Sequence, residues 1–181
     1  RCHDNDQALI NCRRPHHAHN PVYLNSLVEE ALSLRRHTVK HHAELRIELH
    51  LDHSLPPIWV DDTQVRQVVL NLVTNAIDSL TISAQGQPVD SPQGTIAITT
   101  FHEKGFAVLQ VEDTGGGAEP HQLRNAFEPF FTTKPKGLGL GLAVCYSAVK
   151  AHGGDIALAR TSENTTKATV HLPLFACETA V

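Results

Sequence analysis

From residue 65 to residue 80 the apolar positions fall at helical spacing. Val65, Val68, Val69, Leu72, Val73, Ala76 and Leu80 make one broad stripe of the kind that packs on a sheet. Gln67, Asn71, Asn75 and Asp78 recur at steps of four, four and three and share the opposite face. The pattern predicts an amphipathic helix entered through Asp61 and Asp62, which supply a cap and the negative charge that a helix N-terminus favours. Upstream, Leu24, Leu27, Val28, Ala31 and Leu32 repeat a helical rhythm, with Asn25 or Ser26 as the expected cap. Leu45, Ile47, Leu49 and Leu51 then alternate with Arg46, Glu48 and His50, the mark of a half-buried strand. Pro56 and Pro57 break that strand, and residues 58–60 form a short extended piece.

Beyond Leu80, residues 83–94 are rich in Gly, Gln, Ser and Pro and read as a loop. Residues 95–101 and 106–112 alternate as two strands joined at Lys104 and Gly105, which predicts a hairpin. A short helix is expected at 120–126 and a longer one at 142–152, stopped by Gly153 and Gly154. Residues 155–160 and 166–174 close the pattern as a second hairpin. Helices and strands alternate, yet neighbouring strands read mostly as antiparallel. The expected class is α/β (α+β), a two-layer sandwich with a mixed, mostly antiparallel sheet and helices on one face, in place of a doubly wound sheet.

Composition narrows the functional field. The chain has 181 residues, 41% of them hydrophobic, enough for one well-filled domain with a flanking piece. A net charge of -4 with no basic block and a single Trp gives no footprint for nucleic acid. No apolar run approaches the roughly 20 residues that span a bilayer, so no membrane contact by this segment is expected. Cys2, Cys12, Cys145 and Cys177 form no CxxC pair and suit a reducing, cytoplasmic setting, with a Cys2–Cys12 bridge left open. A zinc site from Cys12, His16, His17 and His19 is disfavoured because the spacing is not that of a structural site. The chain starts at Arg1 and contains no Met, so it is expected to be part of something longer. Residues 1–20 read as a linker or the end of an upstream helix, 21–175 as the domain and 176–181 as a tail.

Four pieces could carry chemistry. Asn competes for nearby backbone groups and is a mediocre helix former, so Asn71 and Asn75, one turn apart, are either a solvated face or one wall of a nucleotide site. Asp113 opens the run DTGGG. The glycines let backbone pass close to a flat ligand, and the carboxylate could accept from an exocyclic amine such as adenine N6; a lone acid at a strand end also serves as a turn former. GLGLGL at 137–142 stands directly before a helix, where backbone N–H groups and the dipole favour an anion, with a glycine hinge as the alternative. It fits neither the P-loop nor the Rossmann fingerprint. Lys134, between Thr133 and Pro135, is either a cation for phosphates or an ordinary surface lysine.

In this order NLVTNAIDS, DTGGG, FEPFFTTK and GLGLGL resemble the N box, first glycine box, F box and second glycine box of the catalytic ATP-binding (HATPase) domain of sensor histidine kinases. That domain has the Bergerat fold, shared with DNA gyrase B, MutL and the heat-shock chaperone ATPases. The resemblance covers about 21–174, and FEPFFTTK with GLGLGLAV is similar to the nitrogen-regulatory and oxygen-sensing kinases of two-component systems. It implies ATP and Mg²⁺ as cofactors. Asn71 and Asn75 match the pair that holds Mg²⁺ and the phosphates; with Lys134 they would be the catalytic residues. Asp113 matches the adenine-selecting acid, with Gly115 and Gly117 along the base, and Asp78 falls in the same N box. Thr133, Lys134, Gly137, Leu138, Gly139, Leu140, Gly141 and Leu142 match the lid and phosphate cradle, and Thr166 a Ser/Thr near the adenine pocket. Thr114 departs from the frequent DNGxG spelling, and the lid is a residue or two shorter than expected.

The implied partners are an upstream dimerisation domain carrying the phosphoacceptor His, and a response regulator. His16 and His17, in HHAHNP, resemble the acceptor box only loosely. Gln67 cannot take a proton at neutral pH, which favours phosphoryl transfer over hydrolysis. A nucleotide-binding adapter and a protein serine kinase of the anti-sigma-factor type, both sharing the fold, are the alternatives.

Overall fold

The predicted central helix runs from Asp62 to Thr81, and the rest of the chain is arranged around it. The computed structural model describes residues 20–40, 44–83, 87–134, 137–161 and 165–174. Its elements are β1 (Asn20–Val22), α1 (Leu24–Lys40), β2 (Leu45–Leu51), β3 (Ile58–Val60), α2 (Asp62–Thr81), β4 (Gly94–Glu103), β5 (Phe106–Asp113), α3 (Pro120–Asn125), α4 (Gly141–Ala151), β6 (Asp155–Arg160) and β7 (Thr166–Pro173). The expectations for residues 1–19 and 175–181, including the zinc and acceptor-histidine readings, lie outside the described residues.

The main sheet has the order β2-β4-β5-β7-β6. Three of its pairings are antiparallel; β2 and β4 run parallel, in register from Leu45 opposite Gly94. A parallel pair needs a long crossover, and β3 with α2 provides it. The inward residues of the strands meet in rows: Ile98 faces Val111 and Val111 faces Ala168, while Ile156 faces Val170. One row ends in chemistry, because Asp113 pairs with Ile96 on one side and Thr166 on the other. A strand that alternates apolar and polar positions thereby delivers a carboxylate to the rim of the core.

On α2 the seven predicted apolar positions are buried, and Ile77 with them, because this helix packs on α1 and α4 as well as on the sheet. Each such side chain contributes about 1.5–3 kcal/mol on burial. Asp61 caps α2 as expected, accepting from Gln64 N–H at 3.1 Å. Its own N–H donates to His152 Nε2 at 3.0 Å, and the other ring nitrogen lies 2.7 Å from Ala148 O. Buried His152 thereby ties the end of α4 to the start of α2.

Two expectations fail. Asn25 does not cap α1: its Nδ2 donates to Asp52 O at 2.9 Å and its Oδ1 accepts from Thr100 Oγ1 at 2.7 Å, joining helix to sheet. At the expected boundary of linker and domain, β1 pairs antiparallel with β3 in a separate two-stranded sheet. Pro21 is tolerated there because an edge strand leaves its missing N–H without a ladder partner to lose. Leu49, read as an inward residue, is 45% exposed because β2 is the sheet edge.

Candidate functional site

A cavity of about 520 Å³ lies between α2, the inward ends of β5, β6 and β7, α3, and the stretch that leads into α4. One end is mostly apolar: Leu72, Ala76, Val111, Leu123, Ala126, Leu158 and Ala168 line it, with Asp113 among them. Asp113 is only 7% exposed. Its Oδ1 accepts from Gly115 N–H at 3.0 Å and lies 2.6 Å from Ser79 Oγ. Burial pushes the Asp113 carboxyl above the usual carboxylate range, and the bonds from Ser79 and Gly115 oppose that rise. Gly115 is required by this closeness: a Cβ there would lie 2.6 Å from Ser79 Oγ and 2.8 Å from Asp113 Oδ1. Next to Asp113 on the strand, Glu112 goes the other way. Its partial burial is outweighed by hydrogen bonds from Lys167 and Thr165, and its carboxyl is held low.

The other end is polar. Lys134 Nζ donates to Asp78 Oδ2 at 2.8 Å and to Asn75 Oδ1 at 2.9 Å, pulling the strap before α4 onto α2. Asn75 and Asp78 are on the same side of α2 by the spacing read in the sequence. Asn71, one turn earlier, takes Gln67 Nε2 at 2.7 Å on its oxygen and gives its amide to Gly141 O at 3.1 Å. It also approaches Cys145 Sγ at 3.6 Å, a thiol that burial pushes up to about 11. The strap is shaped by Gly139, whose φ of +66° suits glycine and whose Cβ would lie 2.4 Å from Phe130 C. Phe130 N–H donates to Gly139 O at 2.9 Å, and the ring is 76% exposed.

The fold thus brings Asn75, Asp78, Asp113, Thr133, Lys134, Gly137, Leu138, Gly139, Leu140, Gly141, Leu142 and Thr166 to one cavity. Three predicted residues are not part of its lining. Asn71 is turned to the first turn of α4, and Gly115 and Gly117 lie in the loop that follows Asp113. Thr166 Oγ1 accepts from Ala118 N–H at 3.0 Å, fixing the loop that follows β5. Of the three phenylalanines in FEPFFTTK, Phe131 lines the cavity and Phe127 packs near Tyr146 at a centroid distance of 5.5 Å, while Phe130 points to solvent. Sequence reasoning missed Ser79. The signal was there, since 67, 71, 75 and 79 continue one ladder of steps of four.

Among the described residues no group of three or more His, Cys, Asp or Glu could hold a metal ion, so a divalent ion here would rely on amide and ligand oxygens. Asn75 Oδ1 is a hard amide oxygen of the kind that fits Mg²⁺, which keeps several waters and few protein ligands. Among the described residues no helix is long and apolar enough to cross a membrane.

Comparison with known proteins agrees with this fold. A family model described as "Histidine kinase-, DNA gyrase B-, and HSP90-like ATPase" matches residues 60–176. The signal transduction histidine-protein kinase AtoS of Escherichia coli K12 is 35% identical over 170 residues, covering 93% of this chain and 26% of AtoS. The nucleotide-free catalytic domain of histidine kinase ThkA superposes with a TM-score of 0.73 at 27% identity, covering 86% of this chain and 95% of that domain. ThkA in complex with the response regulator protein TrrA gives a TM-score of 0.68 at 25% identity, covering 86% of this chain and 41% of that one. The chain spans about a quarter to a third of the length of the curated relatives it matches.

Proposed function

The chain belongs to the histidine kinase-, DNA gyrase B- and HSP90-like ATPase family, and from that premise we propose that it is the catalytic domain of a sensor histidine kinase. It binds ATP in the cavity, adenine against Asp113 and the triphosphate toward Lys134, and transfers the γ-phosphoryl group to a histidine on a dimerisation domain. The observation that carries the reading is the pairing, in one cavity, of a buried carboxylate at an apolar end with a lysine at a polar end. The apolar walls take the flat base, and Asp113 accepts from its exocyclic amine.

At the far end Lys134 exchanges Asp78 and Asn75 for phosphate oxygens, and the backbone N–H groups of residues 137–142 face the phosphates at the start of α4. Asn75, joined by Asn71 once it leaves Gly141, would hold Mg²⁺, which supplies neutralisation of the charge on the phosphates. A histidine nitrogen of the acceptor attacks the γ-phosphorus, the bond to the bridging oxygen breaks, and ADP leaves. This chain's part is to position and to neutralise. Gln67 cannot act as a base and its amide is already engaged by Asn71, which favours transfer over hydrolysis. The phosphorylated histidine then serves a response regulator, the kind of partner named for ThkA.

The test is a calorimetric titration of the chain with ATP, with and without Mg²⁺, followed by incubation with γ-labelled ATP. Binding in the micromolar to millimolar range, tightened by Mg²⁺, with acid-labile label appearing only on an added dimerisation domain, is the expected result. A folded chain that binds no adenine nucleotide would return the molecule to the adapter reading.

A further inference from the structure

Base recognition through Asp113 depends on which of its two oxygens meets the ligand, and the residue that decides this lies on α2. Ser79 Oγ stands 2.6 Å from Asp113 Oδ1 and 2.7 Å from Ala76 O. A hydroxyl has one proton to give. Ala76 O lies inside α2, where a carbonyl already accepts from the residue four positions on. The carboxylate oxygen is charged and closer, so it takes the Ser79 proton. Gly115 N–H donates to that same oxygen at 3.0 Å. Oδ2 receives no donor from the described residues. Among the described residues no buried side-chain nitrogen or oxygen lacks a partner, so Oδ2 is the oxygen that opens to the cavity.

We propose that Ser79 is a positioning residue for base selection: by occupying Oδ1 it aims Oδ2 of Asp113 at the exocyclic amine of a purine. The inference rests on the adenine-nucleotide reading above and deepens it. The contact is tightly fitted, since the neighbouring loop position can hold only a glycine without striking both partners. Ser79 also opposes protonation of the acid. Around Asp113, burial favours the neutral form, Ser79 and the Gly115 N–H favour the ionised one, Glu112 disfavours it and Lys134 favours it. Asp78, one residue before Ser79, is neutralised by Lys134. Without the Ser79 hydroxyl the neutral acid gains ground. A neutral acid donates as well as accepts, so it no longer rejects a purine that carries a carbonyl where adenine carries an amine.

The experiment titrates the chain, Ser79→Ala and Ser79→Thr with ATP and with inosine triphosphate at a series of pH values rising from the ordinary carboxyl value of 3.8 to neutrality. The parent is expected to prefer ATP. Ser79→Ala, with a better helix former in place, is expected to fold, to bind ATP about tenfold more weakly, and to lose most of its preference over inosine triphosphate. Its acid limit for ATP binding moves to higher pH, and Ser79→Thr restores both properties. If folded Ser79→Ala keeps the parent's ATP preference and pH profile, the proposal is overturned. A parent that binds neither nucleotide sinks the nucleotide reading instead, a different failure visible in the first titration.

Discussion

At the Asp113 end of the cavity the protein groups have settled their hydrogen bonds among themselves and leave one oxygen open to a ligand. At the Lys134 end the groups are just as well satisfied, but by one another: lysine on Asp78 and Asn75, and Asn71 on Gly141. A base meets a receptor already in shape. A triphosphate must displace existing partners before it gains any of its own, which lowers the net affinity it can yield. The contrast separates two properties that a single cavity could have merged. On the proposed reading, which ligand enters is decided by a buried carboxylate, and how tightly it stays by an exchange of partners at Lys134.

The contrast can be broken most directly at its rigid end. Asp113→Asn is expected to weaken ATP by about 10- to 100-fold, the loss of one charged hydrogen bond, and to abolish the preference over inosine triphosphate in the same calorimetric titration. Lys134→Ala is expected to weaken ATP by about five- to tenfold while leaving adenosine binding unchanged, because adenosine touches only the other end. Equal losses for adenosine and ATP would show that the two ends are not separable. Asp78→Asn should act in the opposite sense: with its competing carboxylate gone, Lys134 meets the phosphates more readily and ATP tightens by about two- to fivefold. The half-buried pair lost in the empty protein costs about 1 kcal/mol or less, readable as a small fall in Tm.

The smallest effect is on pH. A carboxyl whose folded pKa is raised is better protonated in the folded protein than in the unfolded chain. Asp113 therefore costs stability as pH rises from its ordinary 3.8 through its raised value, and that cost persists above it. Asp113→Asn should accordingly melt no lower than the parent at neutral pH, with any advantage closing as pH drops below 3.8. Glu112, held low, has the reverse sign: its stabilisation is present above 4.5 and fades as pH falls through its lowered value. Glu112→Gln should destabilise at neutral pH and converge on the parent in acid.

Local patterns were legible in the sequence; pairings at a distance were not. The stripe on α2, the cap at Asp61 and the two hairpins follow from periodicity and turn chemistry within a few residues. Asn25 looked like a cap because its type favours caps, and nothing near it in the chain announces Asp52 or Thr100. β1 was unreadable for a similar reason: three residues around a proline become a strand only when β3 arrives beside them. The cavity is a middle case. Asp113, Lys134 and the glycines were found from composition and order, while Asn71 was assigned to the site by its spacing to Asn75. Its distance from the cavity depends on where α4 packs, which spacing along α2 does not encode. Ser79 was passed over because the ladder of steps of four was closed at Asp78, an acid, one residue short of the hydroxyl that meets Asp113.

Cys145 has no assigned part in any of this, yet its burial makes it a gauge. A thiol wholly out of solvent, with its proton retained up to about 11, cannot meet an alkylating reagent while α4 lies on α2. In a chain whose Cys2, Cys12 and Cys177 are replaced by serine, the labelling rate becomes a clock for the parting of those two helices. ATP that bridges them should slow the clock, and the slowing, followed over hours, would weigh the closed state without any nucleotide-specific assay.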